Sequence, residues 1–308
     1  LLLIEFKKKY MKGSKKLFIQ GGIFITIFLI LAVLGNNLSI NLSRAGLELN
    51  FDWLSRPASF ALAEHPLPYS SSDSYAWALF MGWLNSLKVI FCSLILSTLL
   101  GFFVGLASVG TNILLKILSA GYVTIIRQTP LLLQLMFWYF VGFLSIQGNF
   151  LSPLQHIFYI SNQGIIFFGI NLSAEFSALL VGLSVFTGAY ISEIVRGGIN
   201  SVPRGQWEAF RSLGLSENEG LYKVIIPQAL PAILPGLTSQ YLNLAKNSTL
   251  AIAVGYADIY AISDTIINQT GRAVEGFILL LTSFFLLNII ISNLMELLNN
   301  IILIQKRN

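Results

Sequence analysis

GAYISEIVRGGINSVPRGQWEAFRSLGLSENEGLYKVIIPQALPAILPG, residues 188–236, is the stretch on which the fold turns. It runs between two apolar segments, yet its composition is not that of a loose linker. Pro203 can open a helix, because its missing N–H has no partner to lose there. Gln206 to Leu213 has helical composition, and Gly214 suits a left-handed cap at the end of that helix. Ser216 followed by Glu219 reads as a capping box that starts another helical turn. The spacing therefore predicts one short rigid helix, then a second element leading to Pro227. Glu208 and Arg211 are three apart and share a helix face. As a solvated pair they contribute a few tenths of a kcal/mol at most.

On either side the chain is strongly apolar. Of its 308 residues 55% are hydrophobic and only 11% charged, with a mean hydropathy of +0.73. A soluble domain carries about 25% charged residues, so both a soluble surface and intrinsic disorder are excluded. A membrane helix needs about 20 mostly apolar residues. Six candidates meet this, at roughly 17–36, 79–109, 117–146, 174–198, 230–257 and 274–303. The expected fold is an all-α integral membrane protein of six transmembrane helices.

Loop charges orient it. With the lysine-rich tail (Lys7, Lys8, Lys9, Lys12, Lys15, Lys16) inside, six spans bring the C-terminus, with Lys306 and Arg307, inside as well. Segments 110–127 and 196–223 are then also internal. Fourteen of the 19 Lys and Arg fall inside, against Arg44, Arg56 and Arg272 outside, the positive-inside pattern. The net charge of +5 thus reads as topology and calls for no nucleic-acid partner. The first span is too long for a usual signal-peptide core and no clear cleavage site follows, so it is read as a retained helix; Met11 is one possible start. The organisation expected is an N-terminal part, 1–78, with the cytoplasmic tail, first span and external loop, then a five-helix core, 79–303, with an internal loop at 199–227, then a short tail, 304–308. The single Cys92 lies in an apolar run and reads as packing.

The internal loop also carries a resemblance. Glu208-Ala209-Phe210, three residues, Gly214, nine residues, then Val224-Ile225-Ile226-Pro227 resembles the EAA loop of ABC importer permeases. YISEIVR (190–196), VPRGQ (202–206), PQAL (227–230), RQTPLLLQ (127–134), KNSTLA (246–251), GYAD (255–258) and NQTG (268–271) are similar to the polar and general L-amino acid permeases. The resemblance covers roughly 80–300. Phe210 stands where the family has the second Ala of EAA, and Val224 and Ile226 replace Ile and Leu; these apolar exchanges alter the fit to a partner. The resemblance implies a type I ABC importer permease fold in a bacterial inner membrane. It implies a coupling helix that docks on an ATPase through Glu208, Ala209, Phe210, Arg211, Gly214 and Pro227. It implies two ATP-binding subunits, a second permease that is a different chain, and an external solute-binding protein. The expected function is import of L-amino acids, neutral and acidic, by alternating access across the lipid bilayer. No catalytic residue, metal or cofactor is expected on this chain, since ATP is bound by its partners.

Polar residues inside a membrane are costly and mark pathways. The fifth span holds the densest set, including Lys246, Asn247, Ser248 and Thr249. Two readings stand for Lys246: pairing with a carboxylate such as Glu193, or a place beside an amino-acid carboxylate. Gln134 and Asn85 join the candidates for the substrate path, as does Glu193, for which an intrahelical pair with Arg196 is the plainer reading. Lys88 reads as snorkelling outward; Asp258 and Glu275 read as outer-end acids. Pro227, Pro231 and Pro235 read as a bent helix entry or as a hinge. Two rivals compete with the importer. An enzyme finds no support, since His65 and His156 are the only histidines and no H-E-x-x-H or phosphate-cradling motif occurs. An autonomous secondary transporter or channel for small polar solutes leaves the 199–227 loop without a purpose.

Overall fold

In the computed structural model the described residues are 2–44, 49–146 and 158–305. They fall into two compact units, Leu1–Phe51 and Asp52–Asn308. The first is one helix, α1 (Leu2–Arg44). Its stretch Ile19–Arg44 is long and apolar enough to cross a membrane. Phe24, Ile25 and Ile30 point to three different sides of it and all are exposed, so the helix is apolar all round.

The second unit is a helical bundle. It begins with α2 (Tyr75–Val109), capped by Ser74, whose side chain accepts from Trp77 N. At its centre α2 packs along α5 (Ala174–Asn200). Gly101 and Gly105 permit the approach: a Cβ at either would lie 2.6 Å from Ile191 Cβ or 2.7 Å from Val195 Cβ. Lipid tails are as apolar as leucine, so such helices associate through close packing more than through the hydrophobic effect.

The third expected span, 117–146, is broken. Helix α3 (Ile113–Gln128) stops at Thr129, whose backbone is extended (φ −103°, ψ 132°), and α4 (Leu131–Met136) restarts after Pro130 and runs on as a π-helix, Phe137–Leu144. The proline ring disfavours helical backbone at the residue before it and supplies no N–H. Gln134 mends the break, its Nε2 donating to Ile126 O at 2.9 Å and Thr129 O at 3.0 Å.

The other spans run α8 (Ile226–Asn247), continued by a 3₁₀ turn, Ser248–Val254, and α10 (Ala273–Gln305). Among the described residues five helical stretches are long and apolar enough to cross a membrane; the broken element supplies the remaining candidate.

Two features were not anticipated. Asp258 caps a further helix, α9 (Ile259–Thr270). An antiparallel meander, β1 (Phe158–Ser161), β2 (Gly164–Phe167) and β3 (Ile170–Leu172), stands before α5 and adds a small sheet to the helical fold. The segment 52–74, grouped above with the first span, belongs to the second unit. Trp53, Ala58 and Phe60 pack with Tyr75, Ala78 and Ile262. His156, Lys306 and Arg307 lie outside the described residues.

Candidate functional site

The internal loop folds into a small rigid unit. Helix α6 (Arg204–Ser212) starts after Pro203. Its end is closed by Gly214 at φ +72°, with Gly214 N donating to Arg211 O and Leu215 N to Phe210 O. This left-handed position favours glycine. In α7 (Glu217–Gly220) both halves of the capping box are made: Glu219 N donates to Ser216 Oγ at 3.3 Å and Ser216 N to Glu219 Oε2 at 3.2 Å. A π-helical turn, Leu221–Ile225, leads into α8, with Pro227 in its first turn. Hydrogen bonding from Ser216 holds the Glu219 carboxyl below its usual range.

Glu208 and Arg211 are both exposed, but Arg211 turns to Glu217, with Nε–Oε1 2.7 Å and Nη2–Oε2 3.2 Å. The two-pronged guanidinium matches a carboxylate across the Gly214 turn better than one on its own face, and it keeps the Glu217 carboxyl low. Phe210 corrects an expectation. Grouped above with the docking residues, it is buried, at 1% exposure, with Val202, Ile199 and Ile225. It fastens α6 to α5 and to the entry of α8, and it presents no surface to a partner. Ala209, Gly214 and Pro227 are exposed, and so is Leu213. Gln228 Nε2 donates to Gln206 Oε1, a second tie between α8 and α6.

A polar cavity of about 660 Å³ opens among α2, α3 and α5. Glu193 lies on it. Arg196 grips Glu193 with two bonds, Nε–Oε1 2.9 Å and Nη2–Oε2 2.8 Å. Arg127 approaches the same carboxylate at 3.9 Å and lies over the Tyr190 ring, 4.9 Å from its centre. Lys116 and Ser192 also line the space. Arg127 entered above as an orienting cation and as the head of RQTPLLLQ, with no role at a site; its meeting with Glu193 depends on how α3 lies against α5.

The other candidates are not gathered there. Lys246 is not paired with Glu193; it is exposed beside a groove of about 350 Å³ with Asn288 and Ser292 of α10. Ser248 is buried and its Oγ donates to Ala245 O, while Thr249 Oγ1 donates to Lys246 O. Asn247 is half-buried at the end of α8. Gln134 is buried, with its amide donors spent on the broken span. Asn85 is buried, donating to Glu64 O and Ala257 O. Lys88 faces Glu64. Asp258 and Glu275 are buried, Asp258 capping α9 and Glu275 bonded to Arg272.

Comparison with known proteins agrees with this geometry. Residues 97–302 match the family described as binding-protein-dependent transport system inner membrane component. The chain is 32% identical to YhdX, a permease protein of Escherichia coli K12, over 91% of this chain and 94% of that one. It is 32% identical to AapQ of Rhizobium johnstonii, a general L-amino acid transport system permease protein, over 82% and 85% of the two chains. A crystal structure of an amino acid ABC transporter with histidines superimposes with a TM-score of 0.57 at 30% identity, covering 73% of this chain and 94% of that chain. The chain belongs to the binding-protein-dependent transport system inner membrane components, as a non-catalytic, multi-pass inner-membrane permease subunit of an ABC importer.

Proposed function

We propose that this chain carries L-amino acids into the cytoplasm by alternating access, as one of two different permeases served by two ATP-binding subunits and an external solute-binding protein. In this reading six crossings place both termini, and the 199–227 loop, in the cytoplasm. The observation that carries the proposal is the anchoring of α6. Phe210 packs against Ile199 of α5 and Ile225 at the entry of α8, so a push on α6 by a closing ATPase is delivered to both helices. Helix α5 bears Glu193 and Arg196 on the polar cavity, and displacement of α5 changes how that cavity opens. Glu208, Ala209, Arg211, Gly214 and Pro227 form the docking face, and ATP stays with the partners. The exposed Lys246, with Asn247, lies toward the second permease or the shared path.

The cavity sets three cations, Lys116, Arg127 and Arg196, against the single carboxylate of Glu193. Two of these cations already share that carboxylate. The surplus attracts carboxylates and repels a cationic side chain, which favours neutral and acidic amino acids over basic ones. Uptake of radiolabelled amino acids by the reconstituted complex tests this. Competition by neutral and acidic amino acids is expected. Arg127→Gln is expected to lower their uptake roughly tenfold or more, the loss typical of one charge-assisted bond. Exclusive uptake of arginine or histidine would reject the substrate class, and uptake by this chain alone without ATP would reject the importer.

A further inference from the structure

A second polar cavity, of about 280 Å³, lies where residues 63–66 of the segment before α2 dip onto that helix. This volume sits near the lower bound of about 300 Å³ for small-molecule sites, which suits a single amino acid. Glu64, His65, Asn85, Lys88 and Asn171 line it. Asn85 is 1% exposed, and its Nδ2 donates to Glu64 O at 3.0 Å and Ala257 O at 2.8 Å. Two carbonyl acceptors on the nitrogen fix the amide, so the buried Oδ1 is the end left without a partner. Glu64 Oε2 is likewise buried with no donor within hydrogen-bond distance, although the Tyr256 hydroxyl lies close to the same carboxylate. Lys88 Nζ stands 3.7 Å from Glu64 Oε2, too far for a direct bond, and 4.2 Å above the centre of the Phe176 ring. One small space thus brings together an amide oxygen without a donor and a loose ion pair between Lys88 and Glu64. A molecule with an ammonium and a carboxylate on one carbon has the complementary charge for each of these groups.

We propose that this cavity is an outer subsite for α-amino acid zwitterions. Lys88 takes the α-carboxylate, and Glu64 with Asn85 Oδ1 takes the α-ammonium. It reads the part common to all amino acids, upstream of the cavity around Glu193. The proposal rests on the amino-acid reading and on the orientation that puts residues 52–74 outside.

The test uses the complete transporter in proteoliposomes, with Ala63→Cys in a Cys92→Ser background. Ala63 borders the cavity and is exposed. A charged, membrane-impermeant methanethiosulfonate added outside reports its accessibility. Saturating L-alanine, L-glutamine or L-glutamate is expected to slow labelling roughly fivefold or more, an effect within reach of charge-assisted bonds. Their N-acetyl and amide derivatives should give no protection. Lys88→Met and Glu64→Gln should each abolish protection, whereas Arg127→Gln should keep it while uptake falls. If Lys88→Met does not assemble, Glu64→Gln, on the surface segment, decides. No protection by any of the three amino acids overturns the subsite, as does protection that survives Glu64→Gln or is matched by the blocked derivatives. Uptake without protection overturns the subsite alone; absence of any amino-acid uptake by the unsubstituted complex overturns the transport reading too.

Discussion

Gly214 and Gly220 lie six residues apart in the internal loop and are glycine for different reasons. Gly214 has φ +72° with open space where a Cβ would stand. A side chain there costs about 1 kcal/mol of backbone strain and little else. Gly220 has ordinary helical backbone, but a Cβ there would lie 2.1 Å from Phe210 Cδ2 and clash with its ring. Two outcomes separate the roles. Gly214→Asp should leave the complex assembled while lowering ATP hydrolysis linked to transport, because an acid is added to the docking face without moving the anchor. Gly220→Ala should displace Phe210 and loosen α6 itself, by about 1–3 kcal/mol as in other overpacked cores. Pull-down of the ATP-binding subunit and substrate-stimulated hydrolysis in vesicles would check both. Unchanged coupled hydrolysis in Gly214→Asp would remove that glycine from the docking face.

The broken third span poses its question at the level of the element. Gln134 stood among the substrate-path candidates; in the fold its amide fills the gap that Pro130 opens in the helical ladder. Gln134→Leu should therefore cost about 1–2 kcal/mol, since two carbonyls lose a donor in an apolar setting. The check is thermal unfolding of the purified complex. A variant of unchanged stability that no longer transports would return Gln134 to the pathway. The break also shows where reading from sequence succeeds and where it stops. Length and apolarity mark α2, α5, α8 and α10 because a membrane demands about 20 such residues whatever the partners. Gly214, Ser216 and Glu219 mark the loop because caps are local chemistry. The meander at 158–172 was missed because its strands are only three or four residues long. Arg127 was legible as a charge but not as a neighbour of Glu193, since that depends on how α3 lies against α5. Phe210 was legible as a departure from a motif, while its burial required the packing of α5 and α8.

At the scale of the molecule, charge and packing divide the chain between the two sides of the membrane. The cations of 196–223 cluster with α6, where Arg204, Arg211 and Lys223 are exposed. The segment 52–74 packs with α9 through Trp53 and Ile262 and carries Arg56 as its one Lys or Arg. If fourteen internal cations set the orientation, these two regions must lie on opposite faces. Ser71→Cys and Leu213→Cys, both at exposed positions, test this in a Cys92→Ser background. In intact cells an impermeant maleimide should label Ser71→Cys only, and Leu213→Cys should react once the membrane is opened. Labelling of both from outside would mean that the count of crossings between α2 and α6 is even, so that the broken α3–α4 element does not cross. The reverse pattern would invert the whole chain and put α6 beyond the reach of any cytoplasmic ATPase.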